Sequence, residues 1–199
     1  MSTGSAVVPA APEHTAAMPD DTAPSLEAVA PLCVGSLHAA GHTLSVAESC
    51  TGGMLGETIT AVPGASKVFW GGVIGYDDAA KRRLLGVSSG TLEAHGAASA
   101  ETALEMAGGM RARAGTTWAL AITGIAGPDG GSAEKPVGTV WIALDGPRGG
   151  GSRRFAFEGD RDAVRRASVR AALVWLERAI AESGPAGTPG IGPSGGDDG

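Results

Sequence analysis

An α/β domain built on about five strands is the fold class this sequence predicts, and three observations predict it. Segments with apolar residues at helical spacing alternate with short apolar runs of strand length. Glycine and polar residues cluster where those runs end. At 199 residues, 43% of them hydrophobic and 18% charged, the chain is long enough for one domain with a sizeable core and too short for two ordinary ones.

Taken in order, residues 1–24 mix Ala, Pro, Thr and acids without periodicity. A segment of that kind buries too little surface to offset its ordering entropy, so a flexible tail is expected. Ser25 opens a helix whose apolar positions Leu26, Val29, Leu32, Cys33 and Leu37 recur at helical spacing, and Gly41 ends it. Residues 43–47 form a short strand running into Glu48, Ser49, Cys50, Thr51, Gly52 and Gly53. A helix follows to about Ala61, stopped by Pro63 and Gly64. Residues 68–76 read as a strand and 77–85 as a helix with acids near its N-terminus, where they suit the dipole. A helix over 99–114, strands over 118–122 and 139–144, and an alternating strand over 153–157 complete the sheet. A long helix over about 160–182 closes the domain, which therefore spans 25–183. Residues 184–199 are Gly and Pro punctuation and read as a second tail.

Composition excludes several functions. A formal net charge of −6 and a pI near 5.2 argue against a broad nucleic-acid-binding face, which needs clustered Lys and Arg. Only Lys67, Lys81 and Lys135 are lysines, against twelve arginines. Cys33 and Cys50 have the spacing of neither a disulfide framework nor a zinc site and read as reduced thiols. The four histidines, His14, His38, His42 and His95, form no ligand spacing, so no metal site is expected, and the reading calls for no cofactor. No stretch is long enough to span a bilayer, and the first residues lack a basic region followed by an apolar run; a cytoplasmic protein is expected.

Two segments sit where sites gather in α/β sheets. The first is SVAESCTGG, residues 45–53, which delivers Ser49 and Thr51 to a helix start where backbone N–H groups lack partners and an anion is welcome. Gly52 and Gly53 allow close approach of a ligand. An N-cap is the ordinary role of such hydroxyls, and spacing alone leaves both readings open. No GxxxxGK[ST] is present, so nucleoside triphosphate hydrolysis gains no support. The second is TGIAGPDGGSAEKPVGT, residues 123–139, where Thr123, Gly124, Ala126, Gly127 and Lys135 lie in a long glycine-rich loop after a buried strand. Loops of that length are usually functional or disordered, which makes this a binding loop or a surface excursion. Between them, Tyr76 and Lys81 flank a strand-to-helix passage; a core tyrosine and a solvated lysine are the ordinary interpretation. Arg161, Arg165 and Arg166 open the last helix against its dipole. Arg165 and Arg166 read as solvated, whereas Arg161 is a candidate for a phosphate.

At AESCTGG, GVIGYDDAAKRRLLGV, AITGIAGPDGGSAEKPVGTVW and FEGDRDAVRRASVRAAL the chain closely resembles the nicotinamide-nucleotide amidohydrolase family, the stand-alone form of the C-terminal domain of competence- and damage-inducible protein CinA. The likeness runs from about Leu26 to Glu182. It implies a three-layer α/β/α domain with a mixed five-stranded sheet, a homo-oligomer, and conversion of nicotinamide mononucleotide to nicotinate mononucleotide and ammonia in pyridine-nucleotide recycling. By the same resemblance Ser49 corresponds to the nucleophile, assisted by Tyr76 and Lys81, and the Thr123–Gly124 loop lies near the ligand. Gly75 and the Asp77, Asp78 pair stand where the family more often carries Thr and Ser-Asn, and Ala98 stands where Val is usual.

An amide is a poor electrophile, so a nucleophile that forms an acyl intermediate divides the barrier. The developing oxyanion then needs preorganised donors, for which the helix start at Thr51, Gly52 and Gly53 and the Gly124–Gly127 segment compete. Cys50 is an alternative nucleophile, since a helix start lowers a thiol's pKa. A different amide substrate, or a nucleotide-binding module without turnover, are the other readings.

Overall fold

The computed structural model describes residues 24–183, and the tails expected over 1–23 and 184–199 lie outside them. Five strands form one mixed sheet in the order β2-β1-β3-β4-β5. Strands β1 (Leu44–Glu48), β2 (Phe69–Ile74) and β3 (Trp118–Gly124) run parallel, and β4 (Thr139–Gly146) and β5 (Gly149–Ala156) continue antiparallel. Among the described residues the six helices are α1 (Leu26–Ala40), α2 (Met54–Thr60), α3 (Asp78–Leu85), α4 (Ser89–His95), α5 (Ala100–Ala114) and α6 (Arg161–Ser183).

Alternation along the strands divides the core into two layers. Val46, Leu120, Ile122, Val140 and Ile142 face α1, α2 and α6, where Leu37, Leu55, Ile59 and Leu173 cover them. Ala47, Ala119, Ala121, Trp141 and Ala143 face α3 and α5, meeting Leu85, Met106 and Met110. The alanines on that second face let α5 approach closely. Gly109 does the same for α3, since a Cβ there would lie 1.7 Å from the Leu85 carbonyl oxygen.

The expected elements are present with end shifts of a few residues, and the differences have physical causes. Ser25 occupies the N-cap of α1 but its side chain makes no capping bond, whereas Asp77 and Ser99 cap α3 and α5 through theirs. Helix α4 and a short 3-10 turn (Ala65–Lys67) escape the sequence reading: α4 has no buried residue and hence no apolar stripe to betray it. Strand β5 begins four residues earlier than expected because Gly149, Gly150 and Gly151 carry no side chains that could alternate. Among the described residues no helix is long and apolar enough to cross a membrane.

This topology fixes where a ligand can enter. The chain leaves β1 through α2 toward β2, and leaves β3 in the opposite direction toward β4. The carboxyl ends of β1 and β3 are therefore a switch point, and Ser49 and Thr123 stand there.

Candidate active site

The turn after β1 carries Ser49. Its amide donates to the Ile122 carbonyl (2.9 Å), tying it to β3, and its carbonyl accepts from the Gly52 amide (3.0 Å). Gly52 (φ +59°) and Gly53 (φ +100°) both take left-handed backbone, which bends the chain back so that α2 starts beside the end of β1. The side chain of Glu48, buried at the last position of β1, reaches across this bend. It accepts from the amides of Gly53 (3.0 Å), Leu55 (3.0 Å) and Gly56 (2.9 Å).

The helix start therefore already holds an anion, supplied by the protein. Of the amides from Thr51 to Gly53, which the sequence suggests as oxyanion or phosphate donors, Gly53 is taken by Glu48 and Gly52 by Ser49. In this turn the amides of Cys50 and Thr51 donate to no carbonyl or carboxylate among the described residues. Thr51 is fully buried, and its Oγ1 has no hydrogen-bond partner among them.

The same alternation that layers the core places side chains at the switch point. Ser45 and Ala47 on β1 and Ala119 and Ala121 on β3 point to the α3/α5 side, so Ser49 and Thr123, continuing those rows, face the same side. Lys81 lies four residues before Leu85 on α3 and shares its inward face. The Ser49 hydroxyl makes no hydrogen bond to another described residue, neither to Lys81 nor to Tyr76. Thr123 is 1% exposed and its Oγ1 donates to the Ala97 carbonyl (2.7 Å).

Tyr76 and Lys81 reverse their ordinary roles. Tyr76 is 58% exposed, whereas Lys81 is 1% exposed and the bulkiest of the fully buried side chains. Its Nζ donates to the Tyr76 carbonyl (3.1 Å) and to Asp78 Oδ1 (3.0 Å). Burial of an ammonium requires such partners. The Tyr76 hydroxyl accepts from Arg161 Nη2 (3.0 Å), while Arg161 Nη1 donates to the Gly127 carbonyl (2.7 Å). One guanidinium thus joins the start of α6, the β2–α3 connection and the glycine-rich loop.

Arg165 is not solvated as the sequence suggests. Its Nη2 and Nε donate to the Thr51 carbonyl (2.8 and 3.3 Å), so α6 clamps the Ser49 turn from the other side. Arg166 is exposed and pairs with Glu27 (2.8 Å). Burial pushes the Cys50 thiol up to about 12, against the pull of Arg161 and Arg165, which stand close enough to lower it. At neutral pH that thiol is protonated and packed in the core, which disfavours it as a nucleophile.

The glycine-rich loop is pinned at its neck by Ile125 N to Thr139 O (2.8 Å) and Gly138 N to Ile125 O (2.7 Å). Gly124 is demanded there, because a Cβ would lie 2.5 Å from the Thr139 carbonyl oxygen. Ala126 is buried in the α1/α6 core and Gly127 offers its carbonyl to Arg161. Lys135 Nζ donates to the His95 carbonyl (2.7 Å) and fastens the loop to the end of α4. Among the described residues no group of three or more His, Cys, Asp or Glu is placed to hold a metal ion.

Glu48 and Arg165 are the two site residues the sequence reading passes over. For Glu48 the signal is present: it is the one acid closing a wholly buried strand immediately before a helix start. For Arg165 no local signal exists, because 114 residues separate it from Thr51.

Comparisons with known proteins agree with this architecture. The chain is 56% identical over 146 residues to a CinA-like protein of Synechococcus sp., which covers 72% of this chain and 35% of that protein. It is 50% identical over 149 residues to a CinA-like protein of Anaeromyxobacter sp., with 75% and 36% covered. The chain thus spans about a third of the length of these curated relatives. Among solved structures, competence/damage inducible protein CihA from Agrobacterium tumefaciens superposes with a TM-score of 0.76 at 40% identity, covering 78% of this chain and 95% of that one. The CinA superfamily protein KP700603 from Klebsiella pneumoniae gives 0.77 at 36% identity, covering 80% and 99%. With residues 26–190 also matching the family model described as the CinA C-terminal domain, this chain belongs to the CinA C-terminal domain family.

Proposed function

We propose that this protein hydrolyses the carboxamide of nicotinamide mononucleotide, releasing ammonia, with Ser49 as nucleophile and no metal or cofactor. The observation that carries the reading is Ser49 itself: a serine at the switch point, on the same side of the sheet as buried Lys81, with its hydroxyl uncommitted. Such a hydroxyl is available to a substrate, whereas an N-cap hydroxyl would be spent on backbone.

In this reading Ser49 Oγ attacks the amide carbon and its proton passes toward the Lys81 side, while the amides of Cys50 and Thr51 receive the oxyanion. Collapse of the tetrahedral species delivers that proton to the departing nitrogen, which leaves as ammonia, and water then attacks the acyl-serine, releasing the nicotinate product and restoring the Ser49 hydroxyl. The phosphate goes to the α6 side, because Glu48 occupies the start of α2. Arg161 is its ligand there, giving up Tyr76 or Gly127, and Arg165 reinforces the positive potential. A homo-oligomer in the cytoplasm is part of the proposal through the family resemblance.

The test is ammonia release from nicotinamide mononucleotide by purified protein, with free nicotinamide and Ser49→Ala as controls. Turnover that survives EDTA and disappears in Ser49→Ala supports the proposal. Turnover of free nicotinamide at the same efficiency would move it to another amide substrate, and binding of the nucleotide without turnover would make the protein a binding module.

A further inference from the structure

Glu48 belongs to no step of the reaction above, yet it is the most fully committed side chain at the site. It is 2% exposed, and both oxygens are spent on three amides of one turn. Three of about four acceptor sites of the carboxylate therefore serve the backbone of this turn. The three donors are Gly53, at the end of the bend, and Leu55 and Gly56, in the first turn of α2. Because Glu48 is itself the last residue of β1 and the neighbour of Ser49, these bonds close a loop from the strand end to the helix start with Ser49, Cys50 and Thr51 inside it.

The left-handed glycines at 52 and 53 give this bend conformational freedom when nothing holds it. Arg165 holds one carbonyl, that of Thr51, from outside. We infer that Glu48 is the positioning residue of this site: its carboxylate fixes the bend and thereby the place of the Ser49 hydroxyl and of the Cys50 and Thr51 amides relative to the substrate. The inference rests on the reading of Ser49 as nucleophile.

The experiment compares wild type with Glu48→Gln, which keeps the size and one acceptor oxygen but turns an NH2 toward an amide donor, and with Glu48→Ala. Two readouts are taken on folded protein: kcat and KM for nicotinamide mononucleotide, and hydrogen exchange of the amides from Cys50 to Gly56. A displacement of the nucleophile by about 1 Å costs about 100-fold in rate. In both variants kcat is expected to fall by about that factor with KM little changed, and exchange to accelerate only between Cys50 and Gly56.

Unchanged kcat in Glu48→Ala overturns the inference, as does exchange that accelerates throughout the domain, which would mark a purely structural role. Wild-type protein that releases no ammonia defeats the reading of the reaction instead. In that case exchange alone decides the inference, and unaltered exchange in the variants overturns it.

Discussion

Replacing Lys81 by methionine separates its chemistry from its packing. The methionine keeps an unbranched stem of similar length where Lys81 is 1% exposed and removes only the ammonium. On the folded state three small effects oppose one another. The Tyr76 carbonyl loses a donor at 3.1 Å, which costs about 1 kcal/mol. The ion pair with Asp78 contributes under about 1 kcal/mol, since that side chain is 54% exposed and solvent screens it. Relief from burying an ammonium acts with the opposite sign. The two losses sum to at most about 2 kcal/mol, or about 4–8 °C in Tm for a domain of this size, and the desolvation relief offsets part or all of it. A general acid–base partner, by contrast, contributes about 100- to 10,000-fold, or about 3–5 kcal/mol in the transition state. The catalytic effect therefore exceeds the structural one, and ammonia release at saturating nucleotide, with Kd by calorimetry and Tm on the same preparation, reads it cleanly. Turnover of Lys81→Met within about tenfold of wild type would refute the argument. Lys81→Arg sharpens it, because an amine that gives up and regains a proton during turnover cannot be replaced by a guanidinium, which never gives its proton up. Severe loss of kcat is expected there too, and near-wild-type turnover would reduce Lys81 to an electrostatic anchor.

Other outcomes follow from the same geometry. Arg161→Ala should raise KM for the nucleotide about tenfold or more, the equivalent of one charge-assisted contact, and leave kcat nearly unchanged; an equal loss in kcat would place Arg161 in the chemistry. Cys50→Ser should remain active, and Cys50 in native protein should resist thiol reagents at pH 8; rapid labelling there would contradict its burial. The Cys50 thiol is raised by burial from about 9 to about 12, so its contribution to stability is full below pH 9 and is lost as pH rises toward 12. Cys50→Ala should accordingly flatten the alkaline fall in Tm across that window, and an unchanged slope would count against it. A protein shortened to residues 25–183 should keep its Tm and turnover, and a large fall in either would show that an end segment docks on the domain.

The chain's local chemistry determined much of this protein. Apolar periodicity, capping residues and glycine punctuation place all five strands and five of the six helices, because each depends on neighbours within a turn or a pleat. The same local reasoning locates Ser49 and the glycine-rich loop at strand ends. It fails for α4, which has no fully buried residue and packs only Leu92 partly against the core, and it mistakes the environments of Tyr76 and Lys81, whose exposure is set by the sheet edge and by α5 rather than by adjacent residues. Arg165 on Thr51, Arg161 between Tyr76 and Gly127, and Thr123 on Ala97 join residues 26 to 114 positions apart. No local pattern encodes such pairs; they exist because strand order and helix packing bring separate chain segments to one end of the sheet. Glu48 stands between the two cases. Its position is written in the sequence, but that its carboxylate, and no ligand, occupies the start of α2 was decided only when Gly52 and Gly53 turned the chain back onto the end of β1.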